Sequence, residues 1–438
     1  MAKRLFGTDG VRGVAGEALS AELAVALGRA AADEARAERP QVLIVRDTRE
    51  SGPMLEGALA AGIAQGGGDA LIGGVVPTPA ASILVRRLGL DLAVVISASH
   101  NPWQDNGIKF FGRDGAKLSD ESEDRIEAAV RSELRAPDAV GQVRLLHGAT
   151  DDYLRELEGS FRGRLDGLKV ILDCANGSTH LAGPEIFRRL GADLEVLCAD
   201  PDGRNINEGC GSTHPEALAE RVVASGADIG FAFDGDGDRV LAIDAQGRVR
   251  DGDELIVLIA RHLAESDELG GGVAVTVMSN FGFHTAMEEA GIEVSTTHVG
   301  DRNVSEELRE RNWTLGGEQS GHIIWTGFAP TGDGIAAALL TCRALAGRSL
   351  ADAIPMKKLP QTLINVRVAD RDAIEDAQAF WDEVERESEA LEGRGRILVR
   401  PSGTEPLVRV MVEAPEQDEA DEVAGRLVTA VERELGSA

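Results

Sequence analysis

Apolar runs of three to five residues recur along the chain, separated by stretches with helical spacing. Val42–Val45, Ala70–Ile72 and Leu92–Ile96 form one set. Val170–Leu172, Leu194–Leu197 and Ile229–Phe233 form a second, and Val273–Val277, Ile292–Val294 and Trp313–Leu315 a third. Short β-rich runs alternating with helical segments predict βαβ units and mainly parallel sheets. A Gly-containing turn precedes each middle run, at Gly66–Gly68, Gly191 and Gly291, where glycine suits the end of the preceding helix. Beyond residue 360 the pattern changes. Thr362–Val368, Arg396–Val399 and Leu407–Glu413 read as strands, and Asp372–Glu389 and Glu419–Leu435 as amphipathic helices, an α+β order. The expected architecture is three consecutive similar α/β domains with mixed, mainly parallel sheets, plus a C-terminal α+β domain, around one central cleft. The expected divisions are 1–148, 149–250, 251–358 and 359–438, with Pro137–His147 and Pro355–Pro360 as linkers.

The length of 438 residues is too great for one core and agrees with several domains. Lys plus Arg number 45 against 74 Asp plus Glu, a formal charge of −29. Nucleic acid and anionic membrane are polyanions, so this balance argues against both as partners. Only 6 of the basic residues are Lys, which salt adaptation and biased composition explain equally well. The four Cys form no CxxC pair, so reduced thiols and a cytoplasmic location are expected. No secretory h-region opens the chain, and no apolar run nears the ~18 residues of a membrane span.

The third run of each set ends in an unusual polar loop, and ligands of open α/β sheets bind beyond the carboxyl ends of parallel strands. Ser97–Pro102 (SASHNP) would expose a serine for attack or phosphorylation. In Asp234–Arg239 (DGDGDR), alternating glycines let Asp234, Asp236 and Asp238 converge on a hard cation. Mg²⁺ fits oxygen-only ligation, with Ca²⁺ and Mn²⁺ as rivals. An EF-hand is excluded, because its sixth and twelfth positions hold Arg239 and Ala245. Gly317–His322 (GEQSGH) offers the Glu318 carboxylate and the Ser320 hydroxyl, which suit vicinal sugar hydroxyls, and the His322 imidazole. Lys109 lies among apolar neighbours, where desolvation or nearby cations would lower its pKa and make it a proton carrier. Arg400–Pro406 (RPSGTEP), with Arg409 nearby, has the glycine, hydroxyls and guanidinium groups of a phosphate cradle.

Together these loops, with Phe6–Gly13 (FGTDGVRG), Thr78-Pro79, Asn106–Lys109 (NGIK), Val299–Arg302 (VGDR) and Thr331–Gly334 (TGDG), resemble the α-D-phosphohexomutase family over essentially the whole chain. The resemblance implies an isomerase of amino-sugar metabolism that interconverts glucosamine 6-phosphate and glucosamine 1-phosphate. Ser99 would be carried as a phosphoserine, with a hexosamine 1,6-bisphosphate as intermediate and activator. One Mg²⁺ would sit between Ser99 and Asp234, Asp236 and Asp238. Arg12, Lys109 and Arg239 would flank the transferring phosphoryl group, with Lys109 as general acid/base and His322 as a second candidate. Glu318 and Ser320 would grip the sugar, and Arg400, Ser402, Gly403, Thr404 and Arg409 the phosphate that is not reacting. The expected partner is a phosphosugar, and the expected state a monomer or homodimer. A family member acting on mannose or glucose phosphates and a metal-dependent sugar phosphatase are the alternatives.

Overall fold

In the first sheet the central strand Gln41–Arg46 is buried on both faces and pairs in parallel with Leu92–Ile96 on one side and Asp69–Val75 on the other. The computed structural model describes residues 4–7, 9–132, 139–402 and 406–436. The chain forms two compact units, one of residues 1–278 and 292–355, the other of residues 279–291 and 356–438.

Three sheets make up the first unit. The first runs in the order Val11–Val14, Asp105–Gly112, Leu92–Ile96, Gln41–Arg46, Asp69–Val75, Val143–Leu145. The second runs Val249–Arg250, Val240–Asp244, Ile229–Phe233, Lys169–Asp173, Asp193–Leu197, and the third Glu293–Thr297, Gly272–Thr276, Leu315–Gly317, Ile323–Trp325. Each repeated set thus lies in parallel within one sheet, as the apolar runs predict. The turn glycines also behave as expected, with Gly67, Gly191 and Gly291 at positive φ just after their helices.

One element of the repeat was not read from the sequence. After the polar loop, every set returns through an antiparallel strand, respectively Asp105–Gly112, Val240–Asp244 and Ile323–Trp325. The polar loops are therefore the connections of three equivalent strand pairs. Residues 143–145, expected within a linker, instead form an edge strand paired with Asp69–Val75. Its side chains are exposed, so no apolar run announces it. The start of that linker, 137–138, lies outside the described residues.

The second unit holds an antiparallel sheet in which Leu407–Glu413 lies between Gln361–Arg367 and Arg396–Pro401. Phe380, Val408, Val410, Val412 and Leu427 form its core. The expected helix over 372–389 is divided into a 3-10 turn, Asp372–Asp376, and a helix, Gln378–Ala390. Trp381 Nε1 donates across the break to the Ile374 carbonyl at 2.8 Å, beside the Ala377 N–H that the same carbonyl accepts.

The second unit also contains residues 279–291, where burial, reinforced by Arg396, lowers the pKa of His284 from 6.5 to about 4. Between those values the unfolded state binds a proton that the folded state refuses, so stability is lost as pH falls from 6.5 toward 4. His284→Gln is expected to flatten the pH dependence of unfolding free energy across that window by up to about one proton. An unchanged slope in the variant would contradict this.

Candidate active site

Strand Leu92–Ile96 is buried throughout and delivers Ser97 to Asn101 beyond its carboxyl end. Ser99 is 1 % exposed and has φ +52°, a left-handed conformation that costs a non-glycine residue about 1 kcal/mol or more. Its backbone is held from several directions. Ser99 N donates to Ser97 Oγ at 2.9 Å, while the Ser99 carbonyl accepts from Arg49 Nη2 at 2.9 Å and Asn207 Nδ2 at 3.0 Å. Arg49 also donates to the carbonyls of Asn101 at 2.9 Å and Pro102 at 2.5 Å, and its Nε to Asp47 Oδ2 at 2.8 Å.

The loop after Ile229–Phe233 meets this serine. Ser99 Oγ donates to Asp234 Oδ2 at 2.5 Å. Gly235 allows the approach, because a Cβ there would lie 2.6 Å from the Ser99 carbonyl oxygen. Asp234, Asp236 and Asp238 are all buried, and each places a carboxylate oxygen within 4.8 Å of the others. Burial, followed by the charges of Asp238 and Asp236, pushes the Asp234 pKa well above the ordinary carboxylate value. One oxygen each of Asp236 and Asp238 is buried without a hydrogen-bond partner. Crowded carboxylates with orphaned oxygens fit a hard divalent cation, which removes both the repulsion and the desolvation penalty.

A ring of alternating charges extends from these carboxylates. Lys109 Nζ lies 3.0 Å from Asp236 and 2.9 Å from Asp9; Lys117 Nζ lies 2.6 Å from Asp9 and 2.6 Å from Asp301. His322 closes the ring, with Nε2 3.5 Å from Asp301 and Nδ1 3.6 Å from Asp238. The expected lowering of the Lys109 pKa is incorrect. Lys109 is 2 % exposed and burial does pull its pKa down, but Asp236, Asp9 and Asp238 outweigh burial and raise it. For His322 too, burial is outweighed by Asp238 and Asp301, and its pKa rises to about 9. The Gly332 N–H also points at His322 Nε2, at 3.2 Å, so a proton on Nε2 must displace that contact.

Beside the ring opens a cavity of about 480 Å³, lined in part by Asp9, Arg12, His100, Arg239, Glu318 and His322. The Nε groups of Arg12 and Arg239 are buried without acceptors. Two guanidinium groups with spare donors suit an oxyanion. Of the sugar-loop residues, Glu318 lines the cavity and accepts from Gly300 N at 3.2 Å, whereas Ser320 is exposed.

In the second unit Arg400 and Arg409 are direct cross-strand partners. Like charges in that register are unfavourable unless an anion joins them. Burial, then Arg409, lowers the Arg400 pKa, and Arg409 Nε is buried without an acceptor. Ser402 is buried beside them in sequence, and its carbonyl accepts from Arg371. Gly403 and Thr404 lie outside the described residues.

Asp9, Lys117, Asp301, Arg49 and Asn207 were not singled out as site residues by the sequence. A signal existed for Lys117, since it is one of only 6 lysines and two of these meet at Asp9. Asp301 sits within a quoted motif, at the start of helix Asp301–Arg311.

This fold and loop set match the family models described as phosphoglucomutase/phosphomannomutase alpha/beta/alpha domains I, II and III, over residues 3–136, 145–247 and 251–360, and as the C-terminal domain over 363–430. The chain belongs to the phosphoglucomutase/phosphomannomutase family. It is 52% identical over 442 residues to the phosphoglucosamine mutase of Mycolicibacterium gilvum, covering 98% of this chain and 99% of that one. Identity to the phosphoglucosamine mutase of Staphylococcus carnosus is 48% over 447 residues, covering 99% of both. Among solved structures, a phosphoglucomutase/phosphomannomutase family protein from Burkholderia thailandensis superposes with TM-score 0.83 at 26% identity, over 99% of this chain and 98% of that one. The N-acetylphosphoglucosamine mutase of Aspergillus fumigatus, solved with GlcNAc-6P and magnesium, shares the fold with TM-score 0.64 at 19% identity, over 98% and 95%.

Proposed function

We propose that this chain is a phosphoglucosamine mutase, an isomerase that interconverts glucosamine 6-phosphate and glucosamine 1-phosphate and so supplies amino-sugar nucleotide synthesis. The observation that carries this reading is the contact of Ser99 Oγ with Asp234, among three buried carboxylates and beside a cavity lined by two arginines whose Nε groups lack acceptors. The names of the relatives at about half identity over the full chain support the amino sugar.

Ser99 is the phosphoryl carrier. As a phosphoserine it transfers its group to the 1-oxygen of glucosamine 6-phosphate, and the resulting 1,6-bisphosphate returns its 6-phosphoryl group to Ser99. Asp234, Asp236 and Asp238, together with the Ser99 oxygen, would hold Mg²⁺. When bound, that ion neutralises phosphoryl charge. Arg12 and Arg239 receive the phosphoryl oxygens on their spare donors. Lys109, held charged by Asp9 and Asp236, adds a fixed cation and is the general acid/base, giving a proton to the departing Ser99 oxygen and regaining one from the attacking sugar hydroxyl, with His322 as second candidate. Glu318 accepts from sugar hydroxyls, with Ser320 assigned to the same loop role. Arg400, Ser402, Gly403, Thr404 and Arg409 form the proposed cradle for the phosphate that is not reacting.

Intact-mass measurement with and without phosphatase treatment tests the carrier. The expected result is a loss of about 80 Da, one phosphoryl group, with peptide mapping placing it at Ser99. A phosphoryl group mapped elsewhere contradicts the assignment.

A further inference from the structure

Two thiols lie together behind the serine loop, outside the cavity lining and the carboxylate triad. Cys198 follows strand Asp193–Leu197, and Cys210 precedes the short turn Gly211–Thr213. With Asp173, at the end of strand Lys169–Asp173, their sulfur and oxygen atoms all lie within 4.8 Å of one another. The carboxylate is anchored, since Asp173 Oδ1 accepts from Ala175 N at 2.9 Å and Oδ2 from Gly211 N at 2.8 Å. Cys198 is half-buried, while Cys210 is 2 % exposed.

The pair is chemically unequal. A hydrogen bond from the Cys210 thiol draws the Cys198 pKa down against burial and Asp173, which oppose it, while the same bond, burial and Asp173 all hold the proton on Cys210. One sulfur is thus the better nucleophile, and its neighbour is a protonated thiol within reach. That is the arrangement in which oxidation passes on to a disulfide rather than stopping at one sulfur.

Residues 199–209 run between the two cysteines and brace the serine loop. Asn207 Nδ2 donates to the carbonyls of Ser99 at 3.0 Å and Asn101 at 3.2 Å. Glu50 N donates to the Gly203 carbonyl at 2.9 Å, and Arg204 pairs with Glu50 while lying 5.0 Å over the Trp103 ring.

We propose that Cys198 and Cys210 are an oxidation site, which a hydroperoxide converts to a disulfide that ties together the two ends of segment 199–209. The Cys198 sulfur attacks the peroxide, forming an S–O bond as the O–O bond breaks, and the displaced oxygen leaves as water. The Cys210 sulfur then attacks the sulfenic acid. An S–S bond forms, the S–O bond breaks, and the second oxygen leaves as water with the Cys210 proton. Two thiols and one H₂O₂ give one disulfide and two waters. This proposal rests on no reading of the reaction at Ser99.

The test treats the reduced full-length protein with a few equivalents of H₂O₂, alkylates it, and maps its peptides by mass. The expected product is one cross-linked peptide pair joining Cys198 to Cys210, two hydrogens lighter than the reduced pair and reversed by dithiothreitol. In Cys198→Ser, Cys210 should stay fully alkylatable. Hydrogen exchange of the peptide spanning residues 97–102 should slow several-fold on oxidation of the wild-type chain and stay unchanged in Cys198→Ser. Two free thiols after peroxide, Cys198 joined to Cys174, Cys198 taken to sulfinic acid unpaired, or a co-purifying zinc ion that protects both thiols would each overturn the proposal. A Cys198–Cys210 bridge with unaltered exchange at 97–102 would overturn its link to the serine loop.

Discussion

Ser99→Ala is expected to lower kcat/KM for glucosamine 6-phosphate by ~10³-fold or more, about 4 kcal/mol of transition-state stabilisation. The variant keeps Asp234, Asp236 and Asp238 and both cavity arginines, so it retains the means to bind a phosphosugar. It loses the only oxygen that contacts Asp234 from the serine loop through a side chain. Added bisphosphate should not restore turnover, because that intermediate must return a phosphoryl group to residue 99. Stability should change by no more than roughly 2 kcal/mol, since one hydrogen bond to a buried carboxylate is lost and little volume is removed. Turnover within tenfold of wild type would remove Ser99 from the mechanism.

Arg49→Leu is expected to destabilise the protein by about 3–5 kcal/mol, the range for removing one partner of a buried ion pair. Arg49 and Asp47 are both 0 % exposed in their side chains. Burial already raises the Asp47 pKa against the opposing charge of Arg49, so deleting that charge leaves a carboxylate with no compensation beyond Ser97 Oγ at 2.7 Å and the residue 49 amide at 3.0 Å. The carbonyls of Ser99, Asn101 and Pro102 lose a donor at the same time. With that clamp gone, the positive φ of Ser99 rests on Asn207 and Ser97 alone. Urea unfolding should show the destabilisation. Kinetics on the folded fraction should show a fall in kcat larger than any rise in KM, because Arg49 does not line the cavity. A variant with a wild-type urea midpoint would refute the buried-pair argument.

The repeat and its loops were legible because parallel strands buried on both faces read as short apolar runs, and because Asp234–Arg239 alternates carboxylate and glycine in a way ordinary turns do not. The returning strands were not. Asp105–Gly112 mixes Asp, Asn, Gly and Lys with its apolar residues, and only its antiparallel pairing explains why Lys109 is buried. That pairing carries Lys109 to Asp9 and Asp236, so the error over its pKa came from partners more than 90 residues away in the chain. Arg49 was illegible for the same reason. Its meaning lies in three carbonyls about 50 residues onward, and backbone acceptors leave no trace in residue identity. Ser320 and Glu318 share a motif, but a strand-pair loop turns adjacent side chains different ways, leaving Glu318 in the cavity lining and Ser320 exposed.

The most direct measurement follows ³¹P NMR of the purified protein with Mg²⁺, a trace of glucosamine 1,6-bisphosphate, and glucosamine, glucose or mannose 6-phosphate in turn. Glucosamine 1-phosphate is expected as the dominant new signal, formed faster than either hexose 1-phosphate, with negligible inorganic phosphate. Inorganic phosphate outpacing isomer formation, or hexose turnover with little glucosamine turnover, would contradict it.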